Sequence, residues 1–88
     1  MLPITGDLDL HAFAPADATS VLAEYLDQCR LRGQLEVRVV HGRGHGVRRA
    51  EVRRALSARG DVLSFRDAPP ESGGWGATLV RLAPAEAE

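Results

Sequence analysis

Lysine is missing from this chain, cysteine occurs once, and aromatic residues are scarce, with one Trp, one Tyr and two Phe. The single thiol, Cys29, excludes an intramolecular disulfide and any metal knuckle built on paired cysteines. No apolar run approaches the roughly 18 residues that a membrane span requires. The opening segment lacks a basic stretch followed by an apolar one, so secretion is unsupported and a cytoplasmic location without membrane contact is expected. Within 88 residues there is room for one domain. That domain is expected to fill 1–88, with a core from position 7 to 83 and a mobile tail over 84–88.

Without lysine, all 11 basic residues are arginine, and the net charge of −1 conceals where they stand. Eight fall between Arg38 and Arg66 against only Glu51 and Asp61, a segment of net +6. The acids weigh on the first third and the tail. Such polarity suits phosphate binding. Arginine-rich codon usage and solvated helix faces would explain the absence of lysine, but not the clustering.

Hydrophobic periodicity gives the elements. Asp7-Leu8-Asp9-Leu10-His11 alternates with period two, placing Leu8 and Leu10 on one face and Asp7, Asp9 and His11 on the other. Pro15 suits a first helical position. Ala18, Val21, Leu22, Tyr25, Leu26 and Cys29 then form a helical stripe that Gly33 ends, with Cys29 as a packed thiol. Leu35–Val40 reads as a strand, 47–59 as an arginine-covered helix, Val62–Arg66 and Ala77–Leu82 as strands, and 68–76 as an irregular loop. The order is β-α-β-α-β-β, an α/β two-layer sandwich of two helices on a four-stranded sheet. Its expected core is Val21, Leu22, Leu26, Val37, Val39, Val52, Leu56, Leu63, Leu79 and Val80.

Three motifs carry candidate chemistry. In the first, Asp9 and His11 share a strand face, their Cβ atoms roughly 7 Å apart. An imidazole near neutrality can take a proton from a 2′-hydroxyl or water and return one to a leaving oxygen, and a carboxylate can fix its tautomer. An Asp-x-His pair is also common as a mere strand end. The second is His41-Gly42-Arg43-Gly44-His45-Gly46, between a strand and a helix. Glycines there let backbone N–H groups meet a phosphate beside the helix dipole, with Arg43 as a bidentate partner; a tight structural turn is the alternative. No Gly-Lys-Ser/Thr follows, so it is not a P-loop, and GxGxG is not a dinucleotide fingerprint. His41 reads as an auxiliary acid/base group or a donor to the turn. In the third, Gly73, Gly74 and Gly76 surround Trp75. The indole suits stacking on an unpaired base or a lid over the core. Thr78 reads as a partner for loop amides. His41 and His45 stand four apart, a metal spacing only on a helix, so no metal site is expected.

In order and spacing these motifs resemble the Smr (small MutS-related) domain family, as a free-standing bacterial-type member. Leu8-Asp9-Leu10-His11 is similar to its LDLHG motif, His41-Gly42-Arg43-Gly44 to its HGxG loop, and Gly73-Gly74-Trp75-Gly76-Ala77-Thr78 to its GGxGAT segment. The family's glycine after the first histidine is Ala12 here, and an often apolar position is Arg48. The resemblance implies a fold like the C-terminal domain of translation initiation factor 3, with one antiparallel strand in a mixed sheet. It also implies an endonuclease that nicks or cleaves RNA or single-stranded or irregular DNA, with Asp9 and His11 at the cut. The expected roles are His11 as acid/base, Asp9 as orienting carboxylate or metal ligand, and His41 as auxiliary group. Gly42, Arg43, Gly44 and His45 hold the phosphate; Arg48, Arg49 and Arg53 track the backbone; Trp75 stacks; and Gly46, Gly73, Gly74 and Gly76 shape the loops. No cofactor is required, although Asp9 and a substrate phosphate could share a Mg²⁺. The chain is expected to be a monomer or weak dimer. A catalytically inactive module docking on nucleic acid or the ribosome is the rival, and Ala12 favours it; a purely protein-binding domain leaves the arginine cluster unexplained.

Overall fold

A computed structural model describes residues 5–42 and 46–85. Arg43, Gly44 and His45 of the expected phosphate loop lie outside the described residues, as does the end of the tail at 86–88. The elements run β1 (Asp7–Asp9), α1 (Ala18–Leu31), β2 (Glu36–Val40), α2 (Val47–Ser57), β3 (Val62–Asp67) and β4 (Ala77–Leu82). Short 3₁₀ turns occupy Leu10–Ala12, Pro15–Asp17, Pro70–Ser72 and Gly74–Gly76. The sheet order is β1-β2-β4-β3, with β1 parallel to β2 and β4 antiparallel to both of its neighbours. This is the mixed, four-stranded sheet with one reversed strand that the sequence implies. Among the described residues no helix is long and apolar enough to cross a membrane.

The α1 stripe buries Ala18, Leu22, Tyr25, Leu26 and Cys29, and Val52 and Leu56 are the buried residues of α2. They share one core with Leu8, Val37, Val39, Val80 and Leu82, so both helices cover a single sheet face. Burial raises the Cys29 pKa, as for a packed thiol. The α1 helix ends on Gly33 at φ +74°, where Gln34 N–H bonds Cys29 O at 2.8 Å and Gly33 N–H bonds Arg30 O at 3.2 Å. This is a Schellman cap, and its left-handed residue is what glycine supplies. Buried Tyr25 pins the entry to β1: its hydroxyl accepts from Gly6 N–H at 3.1 Å and donates to Asp7 O at 3.1 Å.

Two expected core residues stand elsewhere. Leu63 is 62% exposed, because the β3–β4 register shifts between Val62 and Ser64. The bulge leaves Leu63 unpaired, opposite no β4 residue, and lets Val62 and Phe65, of opposite parity, both pack against the core. Leu79 is only half-buried, on the sheet face away from the helices, since successive strand residues point to opposite sides and Val80 takes the core position. Val21 is partly buried and packs against the core.

At the opposite end from the motifs, Arg59 bonds Asp27 at 2.6 Å and Asp61 at 2.8 Å, and Arg30 meets Asp61 at 3.0 Å. The Arg59 guanidinium holds the Asp61 carboxyl below the usual carboxylate range. Arg30 also donates to Ala83 O at 2.8 Å and Pro84 O at 3.1 Å, fastening the chain beyond β4.

Leu26→Ala should cost roughly 2–5 kcal/mol through lost transfer energy and the cavity left behind. Leu63→Ala should leave stability within about 0.5 kcal/mol, as surface substitutions do. Paired denaturant melts check both, and equal losses would contradict the bulge.

Candidate active site

Parallel pairing of β1 and β2 sets their carboxyl ends side by side, Asp9 opposite Val40, and β4 begins opposite Val40 with Ala77. The three motifs therefore meet at one edge of the sheet. Ligands of open α/β sheets gather at such carboxyl ends.

The strand expected to carry His11 stops at Asp9, and His11 lies instead in the 3₁₀ turn Leu10–Ala12. Asp9 causes this. Its Oδ1 accepts from His11 N–H at 2.9 Å, capping the turn, and Leu10 sinks into the core. The same oxygen lies 3.0 Å from His11 Nδ1, with both side chains exposed. A carboxylate only accepts, so Nδ1 carries the proton and Nε2 the lone pair of the neutral ring. That ring packs over Gly42: a Cβ added there would collide with Nε2 and approach Cε1 to 2.9 Å. Gly42 also sits at φ +84°, so glycine is required both for the backbone and for the space. No described residue other than glycine has positive φ, so Ala12 fits its turn without backbone strain.

His41 is buried, and both of its nitrogens are engaged. Nδ1 donates to Gly42 O at 3.0 Å, which leaves Nε2 to accept from the Thr78 hydroxyl at 2.8 Å. Thr78, read from the sequence as serving loop amides, serves this imidazole instead. Gly76 O accepts from both His41 N–H at 3.0 Å and Gly42 N–H at 2.8 Å, locking the second motif to the third. Gly73 turns at φ +115°, where a Cβ would stand 3.0 Å from Ala77 Cβ. Gly46 precedes α2 at φ +78°. Trp75 is 43% exposed, with the Arg49 guanidinium 6.0 Å from its ring centroid. It is not a buried lid.

The arginines of α2 are less free than their sequence suggests. Arg48 donates to Leu10 O at 2.9 Å, tying α2 to the first motif. Arg49 and Arg53 share Asp67, at 2.8 and 2.7 Å. Their hydrogen bonds hold the Asp67 carboxyl below its usual range. Arg53 also stacks on Phe65, 5.3 Å from the ring centroid. Asp67 stands one position beyond the segment counted as net +6 and was missed for that reason.

An Asp–His pair over a glycine turn, at the carboxyl edge of a mixed two-layer sheet, defines a small α/β domain built around one imidazole. A family model described as the Smr domain matches residues 8–83, and the chain belongs to that family. Among its relatives, endonuclease MutS2 of Thermus thermophilus is 38% identical over 78 residues, and endonuclease MutS2 of Solidesulfovibrio magneticus is 43% identical over 75. These alignments cover 89% and 85% of this chain, which spans about a tenth of the length of each relative. The crystal structure of the Smr domain of Thermus thermophilus MutS2 superposes with TM-score 0.84 at 38% identity, over 91% of this chain and 100% of that one. YdaL, a stand-alone small MutS-related protein from Escherichia coli, also gives 0.84, at 26% identity, over 92% and 66%.

Burial holds the His41 pKa below the ordinary 6.5; Arg49 and Arg53 push the same way, against the Gly42 carbonyl and Asp67. The unfolded chain therefore binds this proton at higher pH than the folded one, and stability falls as pH drops below about 6.5. The depressed Asp61 and Asp67 act in a separate window, below 3.8. The melting temperature should fall between about pH 7.5 and about pH 5.5, and His41→Gln should flatten that slope while lowering the whole curve. Parallel slopes for the two proteins would contradict the clamp.

Proposed function

We propose that this chain is an endonuclease acting on single-stranded nucleic acid, and that RNA is the substrate its chemistry suits best. The observation that carries the reading is His11: Asp9 fixes its Nδ1–H, and its Nε2 lies over the side-chain-free face of Gly42. A lone imidazole needs little help when the nucleophile already belongs to the substrate. Nε2 takes the proton of a 2′-hydroxyl, the 2′-oxygen attacks phosphorus, and the P–O5′ bond breaks. The imidazolium returns a proton to the leaving oxygen, giving a 2′,3′-cyclic phosphate and a 5′-hydroxyl. Asp9 orients the ring and stabilises its charged form.

His41 takes a different part from the auxiliary acid/base one suggested by the sequence. With both nitrogens bonded, it holds the Gly42 carbonyl and so the turn beneath His11. The start of α2 after Gly46, whose first turn carries no acid, offers the positive end of the helix dipole to the phosphate. Arg48 and Arg49 add positive charge there, and Trp75 offers an exposed ring for a base, worth about 1–3 kcal/mol. Asp9 and the substrate phosphate could also share a Mg²⁺, with water as nucleophile on DNA. The relatives named endonuclease MutS2 support the reading through their names. Ala12 no longer favours an inactive module, because its turn is unstrained.

His11→Ala and Asp9→Asn should abolish cleavage of labelled RNA while binding stays within about threefold of the parent, a difference of less than 1 kcal/mol. Cleavage should persist in chelator and leave cyclic phosphate ends. Chelator-dependent cutting of DNA alone would replace the 2′-hydroxyl route with the metal-assisted one, and no cutting of either substrate would overturn the proposal.

A further inference from the structure

Both helices cover one face of the sheet; on the other, the segment around Ser72 and Gly73 covers Ala77 at the motif end, and the remainder is open. Glu36, Arg38, Ser64, Arg66, Leu79 and Arg81 line an open groove of about 380 Å³ on that second face. Strand register arranges it in rows. Asp9, Val40 and Ala77 form the first; Asp7, Arg38, Leu79 and Arg66 the second; Glu36, Arg81 and Ser64 the third. Asp9 of the candidate active site therefore stands at the head of this face. The rows follow at intervals of about 7 Å, two residues of strand rise.

We infer that this face, through Arg66 and Arg81, is the track on which a single RNA strand runs to and from His11, an inference that rests on the endonuclease reading above. Arg38 is engaged by Asp7 at 2.8 Å and by Ser72 O at 2.9 Å. The side chains of Arg66 and Arg81 form no hydrogen bond or ion pair among the described residues, although Glu36 is the register partner of Arg81. They are diagonal neighbours, since Arg66 pairs with Leu79, two residues from Arg81, and such positions lie about 7–8 Å apart. Like charges at that spacing repel, and an anion bridging them removes the repulsion. The half-buried Leu79 between them gives sugars and base edges an apolar floor. A phosphate backbone supplies the negative charge that Arg66 and Arg81 lack, since Asp7 is held by Arg38. A second copy of the chain offers less, because an isologous contact sets this face against itself, and with Asp7 held by Arg38 the groove brings only Glu36 to its two arginines. The α2 arginines fit the task less well, with Arg49 and Arg53 both held by Asp67.

The test uses the full chain carrying His11→Ala, so that the probe survives, and a fluorescent oligouridine titrated by anisotropy at several salt concentrations. Adding Arg66→Gln and Arg81→Gln should weaken binding at least several-fold and flatten the log–log salt slope by about 1.4, two phosphates at about 0.7 each. The melting temperature should not move, because neither side chain holds the fold together. Arg54→Gln, an exposed arginine of α2, is the control and should leave affinity and slope unchanged. If the double variant binds with the parent's affinity and slope, or if Arg54→Gln weakens binding equally, the track is wrong while the endonuclease reading stands. If the double variant loosens self-association in sedimentation with oligonucleotide affinity intact, the face belongs to a second copy and the track is again wrong. If the otherwise unaltered chain neither binds nor cuts RNA or single-stranded DNA, both readings fall together.

Discussion

Two successive backbone amides, those of His41 and Gly42, donate to one acceptor, the carbonyl of Gly76. That shared acceptor closes the end of β2 onto the start of β4, and the rest of the site is arranged around it. With Gly42 held at φ +84°, its carbonyl meets His41 Nδ1 and its bare α-carbon meets the His11 ring. Asp9 reaches that ring from β1, the strand paired beside β2. The three motifs, spread over most of the chain, thus act as one unit. A side chain on Gly42 would strain the turn and displace His11 in the same stroke.

The arginines show how far a charge count departs from a charge distribution. Of the eight between Arg38 and Arg66, Arg59 is consumed by Asp27 and Asp61, Arg38 by Asp7, and Arg49 and Arg53 by Asp67. The Arg59 cluster braces the end of the molecule remote from the motifs, where it joins α1 to the start of β3. Apparent excess charge along the sequence is largely structural once the chain folds. Among the described residues, exposed and unengaged charge remains on the sheet at Arg66, which belongs to the cluster, and Arg81, which stands outside it, and on α2 at Arg54.

Periodicity disclosed the fold well because the core is amphipathic in both helices and strands: the α1 stripe, the Gly33 stop and the bounds of β4 are all found where the pattern puts them. It failed where one residue changes parity. A bulge turns Leu63 outward, and the expectation that Leu79 and Val80 share a core ignored the pleat. The site was legible as a set of residues, since Asp9, His11, His41 and Gly42 do converge. Its geometry was not. Alternation carries no sign that Asp9 will cap a turn and bring His11 back onto itself, nor that Thr78 will reach His41 from 37 residues away. Such contacts depend on strand pairing, which spacing along one chain does not reveal.

The sheet plane separates two chemistries that a substrate must bring together. On one side lie the α2 arginines, with Arg49 beneath Trp75. On the other lies the groove with Arg66 and Arg81, on the face headed by Asp9. His11 and Gly42 occupy the rim between them, because a 3₁₀ turn, rather than a longer strand, follows Asp9 and leaves the imidazole at the edge. In the proposed reading a strand lying on the sheet face and stacking on Trp75 has to bend over that rim. A duplex is too stiff and too wide to do so over a domain with a radius of gyration of 12.2 Å. The preference for an unpaired strand would then come from the shape of the rim, with no base-reading group required.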